Sequence, residues 1–131
     1  MKSLKTISFI LFIAGLLMLP NLVNAQIPEE ILESFKNGDS KTLSEYFNQN
    51  VELVVLENDN VYSKAQAQQI VSKFFDQNTP ESFNIIHQGG KEGAKYVIGN
   101  LKTDTGSFRI YFLLKTNDGK NYIHQLRIEK Q

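Results

Sequence analysis

The chain has 131 residues, no net formal charge (14 Lys and Arg against 14 Asp and Glu) and no cysteine. That length suits one domain with one core, and electrical neutrality removes any general pull toward nucleic acid, where affinity scales with the phosphates neutralised. The missing thiols exclude disulfides, zinc–thiolate sites, thiol nucleophiles and a lipidated cysteine anchor. Packing alone must hold the fold, and nine Phe and five Tyr supply much of the apolar area.

In chain order, Met1 to Ala25 reads as a secretory signal peptide. Lys2 and Lys5 start it, Ile7 to Leu19 is its apolar run, and Val23-Asn24-Ala25 is a small-x-small cleavage site. The run is shorter than the roughly 20 residues needed to cross a bilayer. Cleavage after Ala25 is therefore expected, with no stable membrane insertion, leaving residues 26–131 as a single exported domain in the periplasm or the medium. That domain is slightly acidic, because Lys2 and Lys5 leave with the leader.

Three short helices come next. Pro28 with Glu29 and Glu30 opens the first, where acidic side chains suit the positive end of the helix dipole. It buries Ile27, Ile31, Leu32 and Phe35 and stops at Asn37-Gly38. Asp39 or Ser40 caps the second, which buries Leu43, Tyr46 and Phe47 and runs out near Asn48. Ser63 and Gln66 form a capping box for the third, whose apolar stripe Ala67, Ile70, Val71, Phe74 and Phe75 has helical spacing. Thr79-Pro80 closes it.

Strands account for the rest. Val51 to Glu57 turns at Asn58-Asp59-Asn60 into a short return at Val61 and Tyr62. Four runs follow Pro80: Phe83 to Gln88, Lys95 to Thr103, Phe108 to Thr116 and Tyr122 to Glu129. They are separated by hairpin signals at Gly89 to Gly93, Asp104-Thr105-Gly106 and Asn117-Asp118-Gly119. The layout is α+β, three N-terminal helices laid over one face of a curved antiparallel sheet.

Turn chemistry suggests a register. A two-residue turn at Thr105-Gly106 and a three-residue turn at Asn117-Asp118-Gly119 give inner rows Leu101–Ile110–Leu126, Gly99–Phe112–His124 and Val97–Leu114–Tyr122. Gly99 then marks a bend in the sheet. The same register gives the outer face a cationic row, Lys102–Arg109–Arg127, a polar row, Asn100–Tyr111–Gln125, and an apolar row, Ile98–Leu113–Ile123. An apolar row beside a cationic one is expected to be an interface.

The order of elements, with Ile31-Leu32-Glu33-Ser34-Phe35, Gly38-Asp39, Leu43-Ser44-Glu45-Tyr46-Phe47 and Val51-Glu52-Leu53, resembles the nuclear-transport-factor-2-like (cystatin-like) superfold. Residues 27–130 are also similar to a family of small exported Bacteroidota domains of this fold and of unknown function. The strand Gly106-Ser107-Phe108-Arg109-Ile110-Tyr111-Phe112-Leu113-Leu114-Lys115 and the closing Leu126-Arg127-Ile128-Glu129 carry that similarity. The resemblance implies a cone-shaped cavity between helices and sheet and frequent dimerisation through the sheet. It implies no activity, because the superfold hosts isomerases, dehydratases, cyclases and plain binding modules.

The isomerases of that superfold place a general-base carboxylate late in the strand after the second helix. The corresponding stretch here, Leu53-Val54-Val55-Leu56, has none, with Glu52 and Glu57 only flanking it. His124 with Tyr122 is the remaining acid–base candidate, the bland alternative being a core histidine satisfied by a neighbour. His87, expected to face inward with Phe83 and Ile85, lies three strand spacings from His124's strand, about 14 Å. That separation is too great for a shared metal ion, and no metal or cofactor is expected. Glu57-Asn58-Asp59-Asn60 lacks the length of a calcium loop, and Gly89-Gly90-Lys91-Glu92-Gly93 precedes a strand, unlike a phosphate cradle. The expected function is binding without catalysis. One version is a small apolar or amphipathic ligand held by Phe35, Phe74, Phe83, Phe112, Tyr122 and His124. The other is a partner or second copy held by Ile98, Tyr111, Leu113, Ile123, Lys102, Arg109 and Arg127.

Overall fold

The computed structural model describes residues 27–131, so the expected leader lies outside the described residues. Helix α1 (Glu29–Asn37) follows Pro28 and carries Glu29 and Glu30 in its first turn. Helix α2 (Ser40–Glu45) is capped by Asp39, whose Oδ1 accepts from the Thr42 N–H at 3.0 Å. That bond to the charged form holds the Asp39 carboxyl below its usual range. Tyr46 closes α2, and Phe47 already belongs to strand β1 (Phe47–Val55), which starts four residues earlier than expected.

A two-residue turn at Leu56-Glu57 leads from β1 to β2 (Asn58–Ser63), with Val55 paired to Asn58. The expected turn residues Asn58-Asp59-Asn60 are thus strand residues. Helix α3 (Lys64–Gln77) opens with the Ser63–Gln66 capping box, both arms present. Strands β3 (Pro80–Lys91), β4 (Ala94–Thr103), β5 (Gly106–Asn117) and β6 (Lys120–Lys130) complete the chain. The sheet order is β2-β1-β6-β5-β4-β3, antiparallel except where β1 runs parallel to β6. The helices cover one face of this curved, unclosed sheet, α1 against β3 and α3 against β1. Between them lies one core that includes Ile31, Phe35, Leu43, Val71, Leu101, Ile110, Phe112, Ile123, Leu126 and Ile128.

Register is where the structure departs from the sequence reading. The β4–β5 turn is Asp104-Thr105, with Thr103 paired to Gly106. Contacts to the end of α3 hold it there: Asp104 Oδ1 accepts from the Thr79 N–H, the Asp104 N–H donates to the Thr79 carbonyl, and the Thr105 hydroxyl donates to Asn78 Oδ1. Val97 therefore faces Phe112, Gly99 faces Ile110 and Leu101 faces Phe108. The shift is even, so faces survive while rows do not.

The β5–β6 turn is Asp118-Gly119, both at positive φ (52° and 76°), in the manner of a two-residue type I′ hairpin and not the expected three-residue loop. This odd shift turns Ile123 inward, opposite Leu114, where it is fully buried. A bulge then absorbs His124, and Leu126 and Ile128 return to the inner face opposite Phe112 and Ile110. A second bulge, at Ile86, turns His87 outward, opposite Ile98. The glycine-rich stretch before β4 is mostly strand, and only Glu92-Gly93 makes the turn.

Candidate functional site

Two regions compete for a role: the space under the helices and the outer sheet face. Under the helices, Phe35 stacks on Phe83 at 5.1 Å between ring centroids and on Phe112 at 5.7 Å. Phe75 meets Phe35 edge-on at 6.4 Å, and Phe74 meets Phe108 edge-on at 4.9 Å. Gly99 is what admits Phe83: a Cβ at residue 99 would lie 2.4 Å from the Phe83 ring. Its role is thus to make room for a ring as well as to suit a bend. Of the expected pocket residues, Phe35, Phe74, Phe83 and Phe112 come together in this packing, whereas Tyr122 and His124 do not.

His124 occupies the β6 bulge, where the pairing with β1 also shifts, between Phe47↔Ile123 and Glu52↔Gln125. It is half-buried, and burial together with the Lys115 cation lowers its pKa. Tyr122 sits opposite Lys115 near the hairpin end. The inward acid–base pair is therefore corrected: a bulge residue and its neighbour two positions earlier share no inner row.

At the helix–sheet mouth, Val55, Leu56, Glu57, Asn58, Ile70 and Phe74 line a groove of about 380 Å³, with Lys73 and Gln77 beside them. Leu56 holds a left-handed backbone (φ 54°) and is 48% exposed. The groove contains no histidine, and its carboxylate, Glu57, is on the turn. Among the described residues no group of three or more His, Cys, Asp and Glu could hold a metal ion.

The outer face reads differently from its expected rows. One row across the strands is Asp59–Val54–Arg127–Tyr111–Ile98–His87, and the next is Val61–Glu52–Gln125–Leu113–Tyr96–Gly89. A third is Glu129–Arg109–Asn100–Asn84. The cationic row is thus broken: Arg127 faces Tyr111 and pairs with Glu129 (Nε to Oε1, 3.0 Å), Arg109 faces Glu129 on β6, and Lys102 faces Ser107. The apolar row loses Ile123 to the core. Ile98, Tyr111 and Leu113 remain outward and half-buried.

Sequence reasoning missed two members of this face. Tyr96 stacks on Tyr111 at 6.3 Å, and its hydroxyl lies 3.0 Å from His87 Nε2, over Gly89. Alternation could have found Tyr96, which has the parity of Ile98. Nothing local signals the bulge that brings His87 to it. Ile98, Arg109, Tyr111, Arg127 and Glu129 also enclose a depression of about 280 Å³. The face is therefore an aromatic strip with the carboxylates of Glu52 and Asp59 toward β1 and β2 and the Arg109 guanidinium on β5.

The chain matches a family model over residues 28–129 that is described as a domain of unknown function (DUF4783). A crystal structure of a DUF4783 family protein from Bacteroides ovatus is 35% identical, covering 82% of this chain and 98% of that one at a TM-score of 0.78. Another, from Bacteroides uniformis, is 33% identical, covering 81% and 98% at 0.76. A structure named "Rd1NTF2_04 with long sheet" is 21% identical, covers 76% of this chain and 94% of that one at 0.61, and shares the fold alone. No curated protein matches the chain. With the three helices, the curved sheet and the family match in agreement, the chain belongs to the DUF4783 family and has a nuclear-transport-factor-2-like fold.

Proposed function

We propose that this domain is exported and works by binding, not catalysis, through its outer sheet face, with a second copy of the chain as its first partner. The observation that carries this reading is the Phe35–Phe83–Phe112 stack, which occupies the space under the helices while Tyr96, Tyr111, Ile98 and Leu113, each half-buried, point outward on the other side. The outer rows are also self-complementary. A two-fold axis along the strands between β5 and β6 sets Glu129 against Arg109, Arg127 against Tyr111, Gln125 against Leu113, Val54 against Ile98 and Glu52 against Tyr96. Each contact occurs twice. Twisted sheets cross at about 30°, so the contacts nearest the axis dominate: the Arg127–Tyr111 cation–π pair and the Glu129–Arg109 ion pair.

Sedimentation of the processed protein tests this. In dilute solution Tyr111→Glu and Arg109→Glu should each give monomers with an unchanged circular-dichroism spectrum, and adding Glu129→Arg to Arg109→Glu should restore the dimer there. A wild-type protein that stays monomeric at high concentration defeats the proposal. Intact-mass analysis of secreted protein tests the export half, with a start at Gln26 expected.

The strained Leu56 favours a second reading, a small amphipathic ligand at the groove. Its apolar body would lie on Val55, Ile70 and Phe74, with an anionic end at Lys73. The volume is at the low end of the range of about 300–1,000 Å³ usual for ligand sites. Dodecanoate titration followed by NMR should shift Ile70 and Lys73 if this reading holds. Shifts confined to other residues, or none, would remove it.

A further inference from the structure

We infer that the free edge of β3 is a second interaction surface, built to pair antiparallel with β3 of another copy. The two edges of the sheet are unlike. Strand β2 is six residues long and carries Asp59, with Glu57 in the turn before it. Strand β3 has 12 residues, and from Ser82 to Gly90 it contains no charged side chain. Two of the large apolar side chains most exposed in the described chain lie side by side on it, Ile85 at 36% and Ile86 at 61%. A long uncharged edge with exposed isoleucines is a template for another strand, and proteins ordinarily guard such an edge with Lys, Pro or a bulge. The guards here are Pro80 and Lys91 at the strand's ends and bulges at Glu81 and Ile86, and the Ile86 bulge is also what leaves Ile86 without a partner on β4.

Charge selects the occupant. Antiparallel pairing of β3 with its own copy about a two-fold axis at Ile86 places Ile86 against Ile86, Asn84 against Gln88, and Glu81 against Lys91 at both ends. Neither Glu81 nor Lys91 forms an ion pair among the described residues. The Ile86 bulges of the two copies meet at the axis, so the bend falls at the same place in both strands. This rests on the edge and not on the outer face, and the two can fail separately.

The test uses the processed protein carrying Tyr111→Glu, which removes any pairing through the outer face. Sedimentation should still show a dimer at high concentration, and the amides of residues 84–88 should exchange more slowly there than in dilute solution. Ile86→Lys should abolish both effects, with the circular-dichroism spectrum unchanged. Glu81→Lys should weaken association about tenfold, and Glu81→Lys with Lys91→Glu should recover it. Concentration-independent exchange at residues 84–88, or a charge swap that fails to recover pairing, overturns the inference.

Discussion

The two faces of the same sheet are built from alternating residues of the same strands, yet they respond differently to a change of register. On the inner face, a shift of two residues between β4 and β5 replaces one apolar neighbour with another: Val97 meets Phe112 in place of Leu114, and the core closes equally well. On the outer face, the shifts between strands break up a cationic row, bring Arg127 opposite Tyr111 and set Arg109 beside Glu129. Apolar packing is non-directional and roughly proportional to area, whereas charge pairs and ring stacks depend on which residue is opposite. The core is therefore tolerant of even register shifts, which keep each side chain on its face, and a binding surface is not.

Charge insertion gives the largest effect that can break this comparison. Ile123→Lys buries an ammonium in the core and should unfold the domain, while Leu113→Lys, outward on the neighbouring strand, should leave it folded. Thermal melts of the two would read the difference, and equal melting would return Ile123 to the outer face. Next is Phe112→Ala, expected to cost about 3–5 kcal/mol by emptying the centre of the phenylalanine stack, against well under half of that for Tyr111→Ala in a monomer. Urea unfolding measures both. Gly99→Ala should cost about 1–3 kcal/mol, because the new Cβ forces the Phe83 ring out of its place. Should it prove neutral, Gly99 serves only to bend the sheet.

The smallest effect concerns the helices. The Tyr46 hydroxyl donates to Glu30 Oε2 at 2.6 Å, tying the end of α2 to α1. That bond, followed by desolvation and by the charges of Glu30 and Glu45, raises the Tyr46 pKa from 10.0 to about 12. The folded state thus holds this proton more tightly than the unfolded chain. Its contribution is complete below pH 10 and is lost as pH rises toward 12. Tyr46→Phe should cost about 1 kcal/mol at neutral pH and flatten the alkaline limb of stability against pH. An unchanged alkaline limb would show that another group sets it.

Much of the fold was legible. The Ser63–Gln66 capping box, the Asp39 cap, the stop at Gly38 and the glycine- and aspartate-bearing turns are local signals, and each lies within a few residues of where it acts. The phenylalanines of the interior were legible too, through helical spacing and strand alternation. The candidate site was less so. Ile123, Leu126 and Ile128 are all inward although alternation alone cannot place all three on one face, and Ile85-Ile86 conceals the same break in phase before His87. Those breaks were visible in the residues, but not their meaning, because an apolar pattern out of phase fits either a bulge or an exposed apolar side chain.

The amino-acid order by itself determined the α+β class, the three helices, the number of strands after Pro80 and most of the side chains that fill the space beneath the helices, because helix caps, turn residues and periodicity act over short distances. Only the tertiary structure decided which residues meet across the sheet. The end of α3 holds Asp104-Thr105 as a turn through Thr79 and Asn78, which are distant in sequence. The core demands apolar side chains from both halves of β6, and the chain answers with the bulge at His124. Local chemistry can state that a strand exists and which way most of its side chains alternate. Where that alternation must slip to satisfy one shared core is set by every strand at once.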